Sequence, residues 1–312
     1  MMDEFTNKTQ VAVVGAGAVG SYYGARLAQA GVDVSFLLRS DYGHVSRHGL
    51  KITSIHGDFD LPEPKCQQRS EDIGPVDLVI IAWKTTSNNH YQDVIKPLLH
   101  DGTKILTLQN GLGSTDELAQ LFGAERVYGG LCFVCINRLS SGRIRHSASG
   151  LVRVGAHLPN ENDGITKKLV NFLKQGGVIC EAVESLEHAQ WMKLVWNIPF
   201  NGLAIAEGGV DTDVLLKCDG LEDRIRRIMH EVKAVAAALG YEISDGFIEN
   251  QISVTRSMQA YRPSSMIDYV EGREVEVDAI WSEPLRRAKA LGVSVPEIET
   301  LLGEIKLRID QR

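Results

Sequence analysis

The chain reads TQVAVVGAGAVG from Thr9 to Gly20, and this stretch decides the fold of the first half of the molecule. The apolar, β-branched run VAVV predicts a buried strand, and helix-prone residues follow the last glycine. Between them the glycines have the spacing G-x-G-x-x-G, beginning at Gly15. A strand, a glycine turn and a helix, in this order, are what a dinucleotide-binding βαβ unit requires.

The three glycines have separate tasks in such a loop. Gly15 permits the tight turn, Gly17 lets the backbone approach a pyrophosphate, and Gly20 lets the helix lie close to the strand. The N–H groups at the start of the helix then point at the anion. A strand–helix turn without a ligand is the alternative, but the context favours a bound dinucleotide. The predicted contacts come from the whole loop, namely Gly15, Ala16, Gly17, Ala18, Val19 and Gly20.

Composition narrows the class of protein. With 312 residues the chain is long enough for two domains, and 44% hydrophobic and 23% charged residues are typical of a globular protein. The net charge of −7 argues against nucleic acid as a main partner. No apolar run is long enough to cross a bilayer, and the N-terminal residues MMDEFTNK lack the features of an export signal. We therefore expect a cytoplasmic protein that binds neither nucleic acid nor membrane.

The cysteines and histidines do not predict a metal site. Five cysteines, an odd number, favour reduced thiols. Cys132 and Cys135 form a C-x-x-C pair, but the surrounding residues, LCFVCI, predict a buried strand, and no second pair completes a zinc site. The nine histidines show no ligand spacing on a shared helix face. We expect apolar packing at the cysteine pair.

The first part of the chain alternates strands with helices or loops. Near-continuous apolar runs predict strands of a parallel sheet that is covered on both faces, at residues 33–38, 77–83 and 104–108. Runs with polar, glycine-containing connections predict an antiparallel extension at one edge of the sheet, at residues 128–137, 142–146 and 151–154. A helix at 166–175 and a short strand at 178–182 follow.

From about residue 185 the pattern is helical only. Apolar residues at helical spacing predict helices at 223–239, 247–261, 277–291 and 296–309, and Pro284 should kink or break the third of these. The fold class is therefore α/β: a Rossmann-type, doubly wound parallel sheet with an antiparallel extension, followed by an all-helical domain. We place the nucleotide-binding domain at residues 1–183 and the helical, substrate-binding domain at 184–312.

The residue that ends the second predicted strand bears on the choice of nucleotide. NAD-binding folds usually carry Asp or Glu there, which takes the ribose hydroxyls. This chain has Arg39 instead. A guanidinium can hold a 2′-phosphate in a bidentate manner, whereas a carboxylate would repel it. Arg39 therefore favours NADP(H), with an ordinary surface arginine as the alternative.

Several motifs together resemble one family, the ketopantoate reductases (2-dehydropantoate 2-reductases). The resemblance covers nearly the whole chain, and its most specific element is W-x-K-x-x-x-N-x-x-x-N, since many dehydrogenases share the glycine loop. The other landmarks are GAGAVG at 15–20, the lysine that closes DLVIIAWK at position 84, LQNG at 108–111, SSM at 264–266 and GREVEVD at 272–278.

The resemblance implies NADPH-dependent reduction of ketopantoate to pantoate, on the way to pantothenate and coenzyme A. It implies that Lys193 is the proton donor and that Asn110 lies between the nicotinamide and the substrate. It further implies substrate binding by Asn197, Asn201 and Ser265, and cofactor contacts from Lys84 and Glu276. Asn110 and Lys84 each follow a predicted parallel strand, at the edge where ligands bind. A tight Asn-Gly turn and a solvated lysine are the respective alternatives.

The chemistry of the reaction independently supports a substrate site on the helix that carries Lys193. Reduction of a 2-oxoacid builds negative charge on the ketone oxygen, so the site needs a cation or proton donor there and neutral donors for the carboxylate. Lys193, Asn197 and Asn201 are spaced i, i+4 and i+8, which places them on one helix face. An exposed polar face is the alternative. The apolar neighbours argue for burial, and buried asparagines need hydrogen-bond partners, which a polar ligand would supply.

The chain departs from the family pattern at two places. The segment from Ser265 to Glu276 is one residue shorter than the usual spacing, and Asp211 stands where the family often has a substrate-binding asparagine. Because an acid would repel a substrate carboxylate, a related reductase that acts on a different 2-oxoacid stays open. A non-catalytic NADP(H) sensor with the same fold is the alternative from another class of function. A homodimer is also left open.

Overall fold

The computed structural model describes residues 5–158 and 164–312. The chain divides into two compact units. The first contains the residues up to Asn110 together with Ser114–Leu186, and the second contains Gly111–Gly113 and Glu187–Arg312. The second unit therefore includes a three-residue segment, Gly111–Gly113, from the middle of the first half of the chain.

The first unit is built around one sheet, whose spatial order is β4-β3-β9-β8-β7-β6-β1-β2-β5, with β10 paired to β9. Strands β2, β1, β6, β7 and β8 are mutually parallel neighbours. The apolar runs of β1 and β6 are almost completely buried, as expected for a sheet covered on both faces. The described strands are β1 (Gln10–Val14), β2 (Asp33–Leu37), β3 (Leu50–Ser54), β4 (Phe59–Leu61), β5 (Lys65–Gln67), β6 (Leu78–Ile81), β7 (Lys104–Thr107), β8 (Val127–Ser140), β9 (Arg143–Ala156) and β10 (Cys180–Ala182).

The antiparallel extension is the pair β8 and β9. The sequence predicts separate strands at 142–146 and 151–154, but the structure has one strand through both. The interruption in the pattern is a local irregularity: Ser149 and Gly150 have φ of 60° and 117°, and the register shifts nearby. Sequence reasoning also missed β3, β4 and β5, because these short strands carry no long apolar run.

Helices cover the sheet, and helices joined by loops make up nearly all of the second unit. The first unit has α1 (Ala18–Gln29), α2 (Tyr42–His48), α3 (Tyr91–Ile95), α4 (Ser114–Phe122) and α5 (Gly164–Gln175). The second unit takes almost all of α6 (Leu186–Ala206), followed by α7 (Thr212–Lys217), α8 (Leu221–Ala238), α9 (Asp245–Ser257), α10 (Ser264–Val270), α11 (Glu283–Ala290) and α12 (Pro296–Asp310). The predicted fold class is therefore confirmed. Across the described residues, no helix is both long and apolar enough to cross a membrane.

One predicted helix, 277–291, is not a single α-helix. The backbone makes a π-helical turn at Asp278–Ser282 and continues as α11, with Pro284 in the first turn. Proline is favourable there, because the first N–H groups of a helix have no intrahelical partner to lose. Pro284 thus marks the start of α11, and the change of helix type replaces the kink that the sequence predicts.

Candidate active site

The glycine loop has the geometry that its sequence predicts. Gly15 has φ of 86°, and a Cβ on this residue would lie 2.3 Å from the backbone nitrogen of Trp83. A Cβ on Gly20 would lie 2.6 Å from the carbonyl oxygen of Gly15. Both positions therefore exclude any side chain, the first through backbone conformation and close approach, the second through close approach alone.

Gly17 differs, because among the described residues no atom beyond the adjoining chain lies within 4 Å of a Cβ built there. Its φ of −73° is negative, but its ψ of −148° lies outside the regions that residues with a Cβ prefer, so the packing leaves room for a side chain while the backbone conformation favours glycine. Gly17 is the N-cap of α1, and it supplies no side-chain cap to a helix that has no acidic residue in its first turn. Open space above uncapped N–H groups fits a pyrophosphate. The loop residues therefore fit an NADP(H) diphosphate.

Three further predicted cofactor contacts follow strands of the same sheet. Arg39 lies two residues beyond β2 and is exposed. Lys84 follows β6 and is the N-cap of the 3₁₀ helix Thr85–His90. Asn110 follows β7 and is half-buried. Because β1, β2, β6 and β7 are parallel, all these positions share the carboxyl edge of the sheet with the glycine loop.

The predicted polar helix face lies on α6, in the second unit. The helix continues through Pro199 without a break. Lys193 is half-buried, Asn197 is 8% exposed and Asn201 is 1% exposed. Spacing of i, i+4 and i+8 along this helix puts a cation and two amides in one row. Burial of the asparagines excludes the interpretation of a fully exposed polar face.

Asn201 already has two partners within the second unit. Its Oδ1 accepts the backbone N–H of Ser265 at 2.9 Å, and its Nδ2 donates to the carbonyl of Asn197 at 3.1 Å. From the sequence, a polar ligand was expected as the partner in these hydrogen bonds. An asparagine side chain can accept two hydrogen bonds and donate two, so one position of each kind remains for a substrate. Asn201 thus connects α6 to the first turn of α10 through a hydrogen bond. This bond is buried, since Ser265 is 3% exposed.

This connection leads to a prediction that separates the two asparagines. Asn201→Ala leaves the buried N–H of Ser265 without its partner, so we expect the free energy of unfolding to fall by about 1–3 kcal/mol. In residues 5–158 and 164–312, the Asn197 side chain makes no hydrogen bond, and Asn197→Ala should mainly raise KM. Denaturant unfolding and steady-state kinetics of both variants check this. Equal unfolding free energies for the two variants would contradict it.

Glu276, a predicted cofactor contact, lies just before the π-helical turn and is 9% exposed. The turn itself connects two parts of the second unit. The carbonyl of Ala279 accepts the N–H of Leu112 at 2.9 Å, and the indole N–H of Trp281 donates to the carbonyl of Ile198 on α6 at 3.0 Å. A Cβ on Gly111 would lie 2.3 Å from the Ala279 carbonyl oxygen. The glycine of the LQNG motif is therefore required by packing, a contact that sequence reasoning missed.

Asp211, the departure from the family pattern, has a structural role. It is the N-cap of α7, and its Oδ1 accepts the N–H groups of Asp213 and Val214, each at 3.0 Å. Capping of this kind satisfies N–H groups that the helix leaves unpaired. The carboxylate is therefore held by its own helix, which weakens the sequence argument that it repels a substrate.

The C-x-x-C pair lies within β8, where the side chains of Cys132 and Cys135 are half-buried. Cys132 packs against the apolar core of the first unit. In the part of the chain that the structure describes, no three or more His, Cys, Asp or Glu side chains form a group that could hold a metal ion.

An open glycine loop on a Rossmann-type sheet, followed by a helical unit with a lysine and two asparagines in one row, defines a dinucleotide-dependent oxidoreductase. The family model of ketopantoate reductase PanE/ApbA matches residues 11–159, and the model of its C-terminal part matches residues 185–308. The chain belongs to the ketopantoate reductase family, as its motifs predict.

Individual relatives match over nearly their full length. The 2-dehydropantoate 2-reductase of Nostoc sp. is 38% identical over 304 residues, which are 96% of this chain and 95% of that protein. The crystal structure of 2-dehydropantoate 2-reductase from Geobacter metallireducens is 43% identical, with a TM-score of 0.93 over 96% of this chain and 99% of that chain. The enzyme of the same name from Methylococcus capsulatus is 30% identical, with a TM-score of 0.87 over 96% of each chain.

Proposed function

We propose that this chain catalyses the NADPH-dependent reduction of ketopantoate to pantoate. The observation that carries the proposal is the row of Lys193, Asn197 and Asn201 on a buried helix face, in a member of the ketopantoate reductase family. Binding of a nucleotide alone would not require this row, which argues against a non-catalytic sensor. Because Asp211 is used as a helix cap, its departure from the family pattern is weaker support for a different 2-oxoacid.

The proposed cofactor-binding and substrate-binding residues lie mainly in different units. Residues of the first unit would hold the cofactor: the glycine loop takes the diphosphate, Arg39 the 2′-phosphate, and Lys84 and Asn110 the part that reaches the sheet edge. Residues of the second unit would hold the substrate, with Ser265 and the two asparagines of α6 as neutral donors, and Glu276 as a further cofactor contact. The domain limits of 1–183 and 184–312 belong to this proposal.

The chemistry asked of the protein is the handling of charge and a proton. NADPH, when bound, supplies the hydride. The ammonium group of Lys193 stabilises the negative charge that grows on the ketone oxygen and then donates the proton to it. Asn197 and Asn201 donate hydrogen bonds that orient the substrate, and Ser265 binds its carboxylate. A positioned cation is most effective in such a partly buried site, where water screens it less.

A panel of 2-oxoacids tests the proposed function. With NADPH, the purified protein should reduce ketopantoate with a higher kcat/KM than pyruvate or other small 2-oxoacids. If ketopantoate is inert while another 2-oxoacid is reduced, the protein is a related reductase with a different substrate. If NADPH binds but no 2-oxoacid is reduced, the sensor replaces the enzyme.

Arg39 gives a prediction about the nucleotide. The protein should use NADPH with a far higher kcat/KM than NADH, and Arg39→Asp should narrow or reverse this preference, since a carboxylate repels the 2′-phosphate and accepts the ribose hydroxyls. Arg39→Gln separates the loss of the guanidinium from the added repulsion and should have the smaller effect. Steady-state kinetics with both nucleotides measure the ratio. Equal use of NADPH and NADH by the unmutated protein would rule out this role.

The setting and assembly of the protein are also proposals. We infer a cytoplasmic location from the odd number of cysteines, which favours reduced thiols. A homodimer is the assembly to test, and light scattering after gel filtration would detect it.

A further inference from the structure

A polar network lies at the carboxyl edge of the sheet, centred on the side-chain amide of Gln109, the residue before Asn110. Its Oε1 accepts hydrogen bonds from the hydroxyl of Tyr91 at 2.5 Å and from that of Thr107 at 2.7 Å. Its Nε2 donates to Oδ1 of Asn88 at 2.7 Å. Three protein groups therefore fix the side chain of the residue that precedes the predicted nicotinamide contact.

The direction of each hydrogen bond is determined by chemistry. Tyr91 is fully buried, and burial raises its pKa well above the ordinary value, so its hydroxyl keeps the proton and donates. Because a carboxylate only accepts, the NH₂ group of Asn88 faces Glu117 and its amide oxygen faces Gln109. The NH₂ group of Gln109 therefore points to Asn88 and its amide oxygen to Tyr91. Asn88 in turn directs its own NH₂ to Ser114 Oγ and Glu117 Oε2, each at 3.3 Å. The network thus has one consistent orientation.

The same network reaches the strand ends on either side. Asn88 lies in the 3₁₀ helix Thr85–His90, which starts directly after Lys84. The ring of Tyr91 stacks on Trp83 with 5.6 Å between centroids, and the backbone of Trp83 is what excludes a Cβ on Gly15. Contacts centred on Gln109 therefore link the ends of β1, β6 and β7. These are the ends that carry the glycine loop, Lys84 and Asn110.

We propose that Gln109 is a positioning residue for nucleotide binding and hydride transfer, which holds the segments carrying Lys84 and Asn110 in fixed register with the glycine loop. The inference rests on the proposed function, because it assigns a purpose to the cofactor contacts named there. A network that served folding alone would contribute stability without affecting nucleotide affinity or turnover beyond the loss of folded protein.

Two threonines provide a matched pair of variants for the test, one at the end of β7 and one directly before the strand. Thr107, 3% exposed, donates to Gln109 Oε1 and accepts the N–H of Gln109. Thr103, 0% exposed, lies at the opposite end of the strand, where it donates to the carbonyl of Val76 and accepts the N–H of His100. Each valine substitution removes one buried hydroxyl group that donates one hydrogen bond and accepts another. Only Thr107→Val removes it from the network.

The measurements are the NADPH Kd without substrate, kcat and KM for the 2-oxoacid, and the melting temperature. Thr107→Val and Tyr91→Phe should each raise the Kd or lower kcat about three- to tenfold, the value of one hydrogen bond. Thr103→Val should lower the melting temperature about as much as Thr107→Val does, but it should leave Kd and kcat unchanged. Gln109→Met should have a larger effect than either. Thr107→Val should add less in the Gln109→Met background than in the unmutated protein, since the hydrogen bond to the side-chain amide is already lost and only the one from the backbone N–H of residue 109 remains.

Equal Kd and kcat for Thr107→Val and Thr103→Val would overturn the inference, as would full additivity of Thr107→Val with Gln109→Met. The failure of the proposed function has a different signature: the unmutated protein would bind NADPH and reduce no 2-oxoacid, while the Kd comparison would still decide the role of Gln109. If the unmutated protein binds no NADPH, both are wrong. Should Gln109→Met fail to fold, the threonine pair and Tyr91→Phe give the answer by themselves.

Discussion

Replacement of Lys193 by alanine should lower kcat by roughly two to four orders of magnitude, the usual scale for loss of a positioned proton donor. Hydride transfer leaves an alkoxide that must be stabilised and protonated. A lysine side chain, with an ordinary pKa of about 10.4, is charged at neutral pH and can do both. Lys193 lies in the second unit, in one row with Asn197 and Asn201. NADPH affinity should therefore hardly change.

Two further variants make this result specific. Lys193→Arg keeps the positive charge but not the ability to give up a proton near neutral pH, so it should retain substrate binding better than kcat. Lys289→Ala removes an exposed lysine of the same unit that pairs with Glu299, and it should leave kinetics unchanged. A near-normal kcat for Lys193→Ala would mean that the proton comes from another group.

Sequence alone predicted those parts of the site that depend on local periodicity. The glycine spacing fixes a turn within six residues, and the row from Lys193 to Asn201 follows from 3.6 residues per helical turn. The end of a parallel strand predicts which edge Lys84 and Asn110 share. These inferences need no knowledge of which distant residues meet, and for this reason the fold class and the family could be predicted.

The remainder depends on contacts between residues far apart in the chain. Asn201 bonds to Ser265 and Trp281 to Ile198, and no spacing rule indicates such pairs. For this reason the sequence predicted a ligand as the hydrogen-bond partner of Asn201, and it did not predict the close contact that requires glycine at position 111. The Gln109 network was missed for the same reason, since its members Asn88, Thr107 and Glu117 carry no motif of their own.

The second large effect concerns the glycine loop, where two alanine substitutions should fail for different reasons. Gly17→Ala should fold with only the local strain of a ψ of −148°, because among the described residues no atom beyond the adjoining chain lies within 4 Å of the added Cβ. The methyl group would occupy the space through which a diphosphate approaches the N–H groups of α1. We expect the NADPH Kd to rise roughly 10- to 100-fold, the cost of a lost hydrogen bond to a charged group. Fluorescence titration with NADPH measures it.

Gly15→Ala should instead lower the free energy of unfolding by about 2–5 kcal/mol, since alanine is strained at φ of 86° and its Cβ would meet the Trp83 backbone at 2.3 Å. Gly31→Ala is the control for strain alone, because φ is 88° there and, in the part of the chain that the structure describes, no atom beyond the chain neighbours lies within 4 Å of the added Cβ. It should cost about 1–2 kcal/mol without a change in NADPH affinity. If Gly17→Ala binds NADPH as tightly as the unmutated protein, the diphosphate does not lie on this loop, because the added methyl group leaves it no room at Gly17.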